Sequence, residues 1–458
     1  MEILNNWISG INDLLWSYVL IIMLLGCAFR FTFKTRFVQF RMFREMIRVL
    51  GDSANKAHEG EKHISSFQAF AVSLASRVGT GNLAGVATAI AVGGPGAVFW
   101  MWITALIGSS TAFVEATLAQ LHKEKDPLYG GYRGGPAYYI HHYMEEHQGK
   151  KKRYSVIAVL FAISGLICWC GISQVISNSV TSSFENAFSI PPLYTTVILV
   201  VLAAAIVLRK NATVKVLDVM VPIMAVCYFL ITVFLILTNL SSIPGVFSRI
   251  FEEAFGIRQV AAGGFGAVLM NGVKRGLFSN EAGSGSAPCA AAAAECDLPV
   301  KAGLVQALGV FIDTIVICSC TAMIMLLVPQ DQIEGLAGME LLQTAMRYHL
   351  GEAGVIFIAV MLFLFSFSTF LGILFYARSN VAYLFGDNWA SQTAYKVLAL
   401  VMLFIGGIAA YTFVWDLGDV GIGLMTIFNT VILYLMGGQA LRELKKYEAV
   451  RKEQKKKN

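Results

Sequence analysis

Apolar residues in this chain gather into runs of about 20, the length that carries a helix across about 30 Å of hydrocarbon, and polar segments separate the runs from one end to the other. Eleven such runs are predicted to be membrane-crossing helices. They are Ile11–Phe29, Phe67–Val92, Val98–Leu121, Ser155–Val180, Leu193–Leu208 and Val216–Thr238, then a run that starts near Gly263 and loses its apolar character after Asn271, then Ala302–Leu327, Val355–Phe375, Val397–Ala410 and Phe413–Met436. The predicted fold class is an all-α polytopic membrane protein. Composition agrees, with 56% hydrophobic and 14% charged residues, against about 25% charged in soluble domains.

The charges test the span count. Basic residues favour the cytoplasmic side of short loops. With the N-terminus outside and eleven spans, 31 of the 35 Lys and Arg residues fall in segments assigned to the cytoplasm, the C-terminus among them. Arg249, Arg258 and Arg347 fall outside, and Arg77 lies within a span. Nothing basic precedes the first apolar run, so it reads as a retained helix rather than a secretory signal. The tail after Leu441 reads as a basic helix that either binds anionic lipid or is simply solvated.

Setting the first span aside, the other ten divide into two fives. The domain reading is an N-terminal helix and basic linker over 1–65, a five-helix repeat over 66–240, an external connection over 241–261, a second repeat over 262–440 and a tail over 441–458. Each five begins with an interrupted helix. The first carries Arg77-Val-Gly-Thr-Gly-Asn82. The second carries Asn271-Gly-Val-Lys-Arg-Gly276 and then Ser279-Asn-Glu-Ala-Gly-Ser-Gly-Ser286. Clustered glycines disfavour helix by about 0.5–1 kcal/mol each. Open backbone in lipid is tolerated only where it lines a polar cavity, and broken helices in matching positions of two halves point to a transporter's binding site. Helix packing through small residues explains single glycines but not the polar Asn82 and Asn271 beside them.

Other chemistry is sparse. Cysteines such as Cys168, Cys170, Cys318 and Cys320 lie inside spans and read as small buried hydrophobes. His141, His142 and His147 read as a solvated loop cluster, and the glycine-rich Tyr129–Pro136 stretch as irregular backbone. Basic residues sit between spans instead of forming one face, which argues against nucleic-acid binding. Asp416-Leu-Gly-Asp419 only loosely resembles the Gly-x-Gly-Asp stretch of intramembrane aspartyl proteases, and two broken helices suit alternating access better than a channel.

The run Gly93-Gly-Pro-Gly-Ala-Val-Phe-Trp-Met-Trp-Ile-Thr-Ala-Leu-Ile-Gly108 resembles the signature of the alanine/glycine:cation symporter family. The two broken stretches resemble that family as well, and the likeness extends over nearly the whole chain. It implies a LeuT-type fold of five plus five inverted helices with one extra N-terminal helix. It also implies sodium-driven uptake of a small neutral amino acid (alanine or glycine) at a bacterial or archaeal plasma (inner) membrane. No organic cofactor or obligatory protein partner is expected. The alternative is a proton-coupled carrier or an exchanger of the same fold.

A substrate carboxylate needs N–H donors at a helix N-terminus, which points to Thr80, Gly81 and Asn82. The ammonium needs acceptors, which unwound carbonyls at Met270, Asn271 and Gly272 and the Asn271 side chain would supply. Gln174 faces either a cavity, as the resemblance implies, or a neighbouring helix. For sodium the resemblance implies carbonyls of Ala75, Val78 and Phe365 and hydroxyls of Ser368 and Thr369. The other reading of those hydroxyls is bonding to their own helix. Arg77 either pairs with Glu281 or Asp313 in a cytoplasmic gate or snorkels in the inner vestibule. No acid belongs to this ion shell.

Overall fold

The computed structural model describes residues 2–17, 19–56, 64–149, 151, 153–209, 213–255 and 265–457. Those residues form helices with one two-residue hairpin between them. Helices α1 (Glu2–Ser17) and α2 (Val19–Lys34) lead into two short ones, α3 (Val38–Arg41) and α4 (Phe43–Lys56). The first broken helix follows. It consists of α5 (Ser66–Arg77), a π-helical turn over Gly81–Gly85 and α6 (Val86–Gly93). Helix α5 starts at a capping box in which the Ser65 hydroxyl accepts the Gln68 N–H and the Gln68 side chain accepts the Ser65 N–H, so two orphan donors are satisfied reciprocally.

Helix α7 (Gly96–Leu121) is followed by the hairpin β1 (Glu124–Lys125) and β2 (Tyr132–Arg133), then α8 (Pro136–Gln148), α9 (Val156–Phe188), α10 (Pro192–Val207), α11 (Thr213–Thr238) and α12 (Ile243–Phe255). The second broken helix is α13 (Phe265–Asn280) with α14 (Ala287–Ala293). Next come α15 (Pro299–Val310), a π-helical stretch over Phe311–Cys318, and α16 (Ser319–Leu326). The chain ends with α17 (Gly338–Leu350), α18 (Glu352–Phe385), α19 (Trp389–Ile408) and α20 (Tyr411–Lys457).

Eight helices among the described residues are long and apolar enough to cross a bilayer: Asn6–Lys34, Gly96–Leu121, Val156–Phe188, Met220–Thr238, Pro299–Leu326, Glu352–Phe385, Trp389–Ile408 and Tyr411–Glu453. The other three predicted spans are the two broken helices and the 16-residue α10. Helix α9 packs against α18, α19 and α20, while α13 and α15 pack against α7. The extra N-terminal pair α1 and α2 lies outside this bundle, against α20 and α7.

One sequence reading changes here. His141 and His142 lie on α8, not in a loop, with the His141 Nδ1 2.8 Å from the Tyr383 hydroxyl and His142 3.2 Å from His122. The tail after Leu441 continues α20 as helix, clamped where Arg451 and Tyr447 bind Glu45 of α4 at 2.9 and 2.6 Å. The external connection contains the helix α12, and its residues 256–261, like Gly263, lie outside the described residues. The eight cysteines are all free thiols, five of them buried.

Candidate functional site

The first break follows directly from the Val-Gly-Thr-Gly-Asn run. Helix α5 ends as Val78 leaves helical geometry at φ −75°, ψ 89°. Gly79 then donates its N–H to the Asn82 side-chain oxygen at 2.8 Å. The side chain of Asn82 thus replaces the backbone acceptor lost at the break, which allows the chain to re-enter a helix at Gly81. The last carbonyls of α5 have no intrahelical partner, and the first amides after the break stand at a positive helix end.

Helix α18 meets this break side-on. The Thr369 hydroxyl donates to the Ala75 carbonyl at 3.0 Å. Gly79 allows this approach, because a Cβ there would overlap the Thr369 hydroxyl. Ser368 donates within its own helix, to the Phe365 carbonyl at 2.8 Å. Ala75, Val78, Phe365, Ser368 and Thr369 are all buried. One helical turn from Thr369, the Ser366 hydroxyl lies 3.3 Å from that of Thr80.

The second break spans Glu281 to Ser286. Glu281, Gly283 and Gly285 have φ of 57°, 95° and 86°, a region that glycine enters at no steric cost. Buried groups hold this strained segment. Glu115 of α7 accepts the Gly283 N–H at 3.2 Å and the Asn429 amide at 2.8 Å, and that same amide donates to the Gly283 carbonyl at 2.9 Å. Glu281 accepts from Ser76 at 3.0 Å and from Ser286 at 2.8 Å, which ties the second break to the last turn of α5.

The two breaks also meet at Asp313, on the π-helical stretch. Its carboxylate accepts from the Asn82 amide, the Ser279 hydroxyl and the Thr314 hydroxyl, each at 2.8 Å. The sequence reading offered this acid only as an alternative partner for Arg77. Its signal was a lone aspartate within the run Val310-Phe-Ile-Asp-Thr-Ile-Val.

Several predicted positions stand elsewhere. Met270, Asn271 and Gly272 are not unwound, since α13 continues unbroken to Asn280. The Asn271 amide donates to the Ala267 carbonyl of its own helix at 2.9 Å. Gly272 lets α13 pack against α7, where a Cβ would lie 2.6 Å from the Ala97 carbonyl oxygen. Gln174 faces α19: its amide nitrogen lies 3.4 Å from the Met402 sulfur, and its backbone packs against Gly406. None of the described hydrogen bonds joins Gln174 to either break. Arg77 forms no ion pair with Glu281 or Asp313 among the described residues; it is buried and donates to the Gln306 carbonyl at 3.2 Å.

The sequence reading counts Lys274 and Arg275 in a cytoplasmic segment between spans. They lie on α13, where Arg275 makes a two-pronged contact with Asp419 of α20 at 3.1 and 2.8 Å and Lys274 reaches the same carboxylate at 2.8 Å. The Arg275 guanidinium stands 4.7 Å from the centre of the Trp415 ring, and Trp415 packs against Phe278 with ring centres 5.1 Å apart. Asn12 of α1 donates to Asp416 at 2.7 Å beside them. Phe278 also covers the first break, 3.2 Å from where a Gly81 Cβ would stand. An ion pair, an indole and a phenyl ring thus close the junction of the breaks from the side of α1.

Comparison with known proteins agrees with this architecture. The chain matches the sodium:alanine symporter family over residues 1–458. It is 42% identical to the probable sodium/glutamine symporter GlnT of Bacillus subtilis, over 98% of this chain and 92% of that one. It is 34% identical to the sodium/alanine symporter AgcS of Methanococcus maripaludis, over 97% of each chain. Its fold resembles that of MhsT, solved in complex with L-phenylalanine, with a TM-score of 0.57 at 14% identity over 83% of this chain and 89% of MhsT. The chain belongs to the sodium:alanine symporter family, and it is a multi-pass plasma-membrane transporter that couples sodium to amino-acid movement, not an enzyme.

Proposed function

We propose that this protein takes up alanine or glycine together with sodium, by alternating access around the junction of its two broken helices. The observation that carries the reading is the meeting of Ala75, at the end of α5, with Thr369 in the middle of α18. A helix C-terminus presents carbonyl oxygens, and a facing hydroxyl adds the hard oxygen donor that sodium takes. The sodium shell is then the carbonyls of Ala75, Val78 and Phe365 with the hydroxyls of Ser368 and Thr369. The substrate carboxylate sits on the amides of Thr80 and Gly81, at the positive end of the helix that restarts there. Met270, Asn271, Gly272 and Gln174 are left out of the site for the geometric reasons given above.

The same reading counts eleven crossings, with the two broken helices and α10 added to the eight long ones. It places the N-terminus outside and the C-terminal helix in the cytoplasm. On this orientation the cluster of Arg275, Lys274, Asp419, Trp415 and Phe278 is the outer lid, closed in this structure, and opening it requires α13 and α20 to part.

A small substrate suits the close approach of Phe278 and Ser279 to Gly81. Competition against radiolabelled L-alanine uptake under a sodium gradient tests this. Unlabelled alanine and glycine should compete at similar concentrations, and glutamine only at much higher ones. Glutamine competing as well as alanine would overturn the small-substrate reading.

A further inference from the structure

Away from the broken helices, two imidazoles meet edge to edge on the face that the charge pattern assigns to the cytoplasm. His122 follows the last turn of α7 and His142 lies on α8, and their Nδ1 atoms stand 3.2 Å apart. The ring centres are 5.4 Å apart, so these nitrogens are the near edges of the two rings. The far nitrogen of each ring has a partner of its own. His122 Nε2 donates to Gln439 Oε1 of α20 at 2.8 Å, and His142 Nε2 lies 3.3 Å from Glu124 Oε1 of β1. Both rings are half-buried. The neighbouring Lys123 is turned away, with its ammonium on the Gln120 side chain and the Ala294 carbonyl.

Three contacts in a row therefore join Gln439, His122, His142 and Glu124, and each needs one hydrogen between its two atoms. The amide oxygen and the carboxylate only accept, and a neutral imidazole carries a single N–H. Two neutral rings supply two hydrogens for three contacts. With both N–H groups directed to the oxygens, the two Nδ1 lone pairs face each other, and a cation shared by both is what the pair lacks. Metal-ligating histidines use this arrangement: the outer ring nitrogen donates to a carboxylate or carbonyl and fixes the tautomer that coordinates. The spacing fits as well. Two nitrogens bound to one tetrahedral zinc ion at about 2.0–2.1 Å stand about 3.3 Å apart, whereas a shared proton would draw them to about 2.7–2.9 Å, the length of charge-assisted hydrogen bonds.

We propose that the Nδ1 atoms of His122 and His142 form a site for one divalent transition-metal ion of the class that imidazole suits, zinc being its representative. No third His, Cys, Asp or Glu closes the shell among the described residues, so water fills the remaining positions and the ion exchanges with solution. The bound ion pins α8 to the end of α7 and, through Gln439 and Glu124, to α20 and the hairpin. The site is separate from the sodium shell and from the amino-acid site.

The test is a calorimetric titration of the purified, untagged full-length protein with zinc chloride at neutral pH, run on wild type, His122→Asn, His142→Asn and His147→Asn. Wild type should bind a single zinc ion per chain, and each of the first two variants should weaken that binding at least about tenfold (about 1.4 kcal/mol). His147 stands further along α8, with the Tyr143 hydroxyl as its partner at 3.2 Å, so His147→Asn should stay within about threefold of wild type. Zinc should also raise the thermal midpoint of wild type, because it binds the folded chain, and leave that of His142→Asn unmoved. No saturable binding by wild type below about 1 mM zinc would overturn the inference and give the gap between the rings to a proton. Equal binding by wild type and both pair variants would overturn it too, by putting the zinc elsewhere. Either pair variant alone decides the matter, since each leaves one ligand. If neither is recovered folded, Gln439→Leu, which removes only the acceptor that fixes the His122 tautomer, should weaken zinc binding about threefold or more, and unchanged binding overturns the inference in the same way.

Discussion

The Thr369 hydroxyl donates to the Ala75 carbonyl across 3.0 Å, between residues 294 positions apart. This contact joins the unbroken α18 to the broken helix α5/α6 at the point where α5 runs out of backbone partners. A single hydroxyl therefore takes part both in closing the break and in the proposed ion shell.

Removing that hydroxyl should act on sodium before it acts on the amino acid. Thr369→Ala is expected to raise the half-saturating sodium concentration for uptake about tenfold (about 1.4 kcal/mol). Thr369→Ser keeps the oxygen and should stay within about threefold of wild type. Sodium titration of uptake by both variants is the check, and an unaltered requirement in Thr369→Ala would count against this shell.

Gly79 has no room for a side chain. A methyl group there would overlap the Thr369 hydroxyl, so Gly79→Ala should abolish uptake while the protein still inserts and purifies as a single species. Uptake near the wild-type rate would show that α18 does not sit against the break during transport.

Asn271 offers a contrast. The sequence predicts a substrate contact, but its amide is bound to Ala267 one turn back on its own helix. Asn271→Ala should therefore leave alanine affinity within about threefold, under about 1 kcal/mol, in a direct binding assay. A tenfold loss would restore the substrate role.

The proposed outer lid should be a stability element as well as a gate. Asp419 is buried between two basic residues. Arg275→Ala removes its two-pronged partner and leaves the weaker Lys274 contact. The expected cost is about 3 kcal/mol, the scale for breaking a buried pair, read as a lower thermal midpoint of the purified protein. An unchanged midpoint would mean the pair is open in the detergent-solubilised state.

What the sequence made legible depended on the range of the interaction that carried each feature. The first break was readable because all its elements are local: Gly79 and Asn82 stand three residues apart and bond to each other. The glycine clusters of the seventh span were ambiguous for the same reason that they are useful. Gly272 and Gly276 serve close packing of α13 on Trp100, Ala97, Met101 and Thr104, whereas Gly283 and Gly285 carry positive φ, and composition alone does not separate the two uses. Lys274 and Arg275 resembled loop residues because the acid that neutralises them is about 145 positions away. Gln174 was left open between a cavity and a neighbouring helix because the face of α9 it occupies is set by the packing of α19, which no local pattern reports. Asp313 acquires meaning only when three helices bring Asn82 and Ser279 to it.

The most direct measurement is radiolabelled L-alanine uptake into proteoliposomes under an inward sodium gradient, with an equal potassium gradient as control. Coupling through the Ala75–Thr369 site requires accumulation with sodium and none above leak with potassium. Equal accumulation under both gradients would contradict sodium coupling and remove the basis for the ion site.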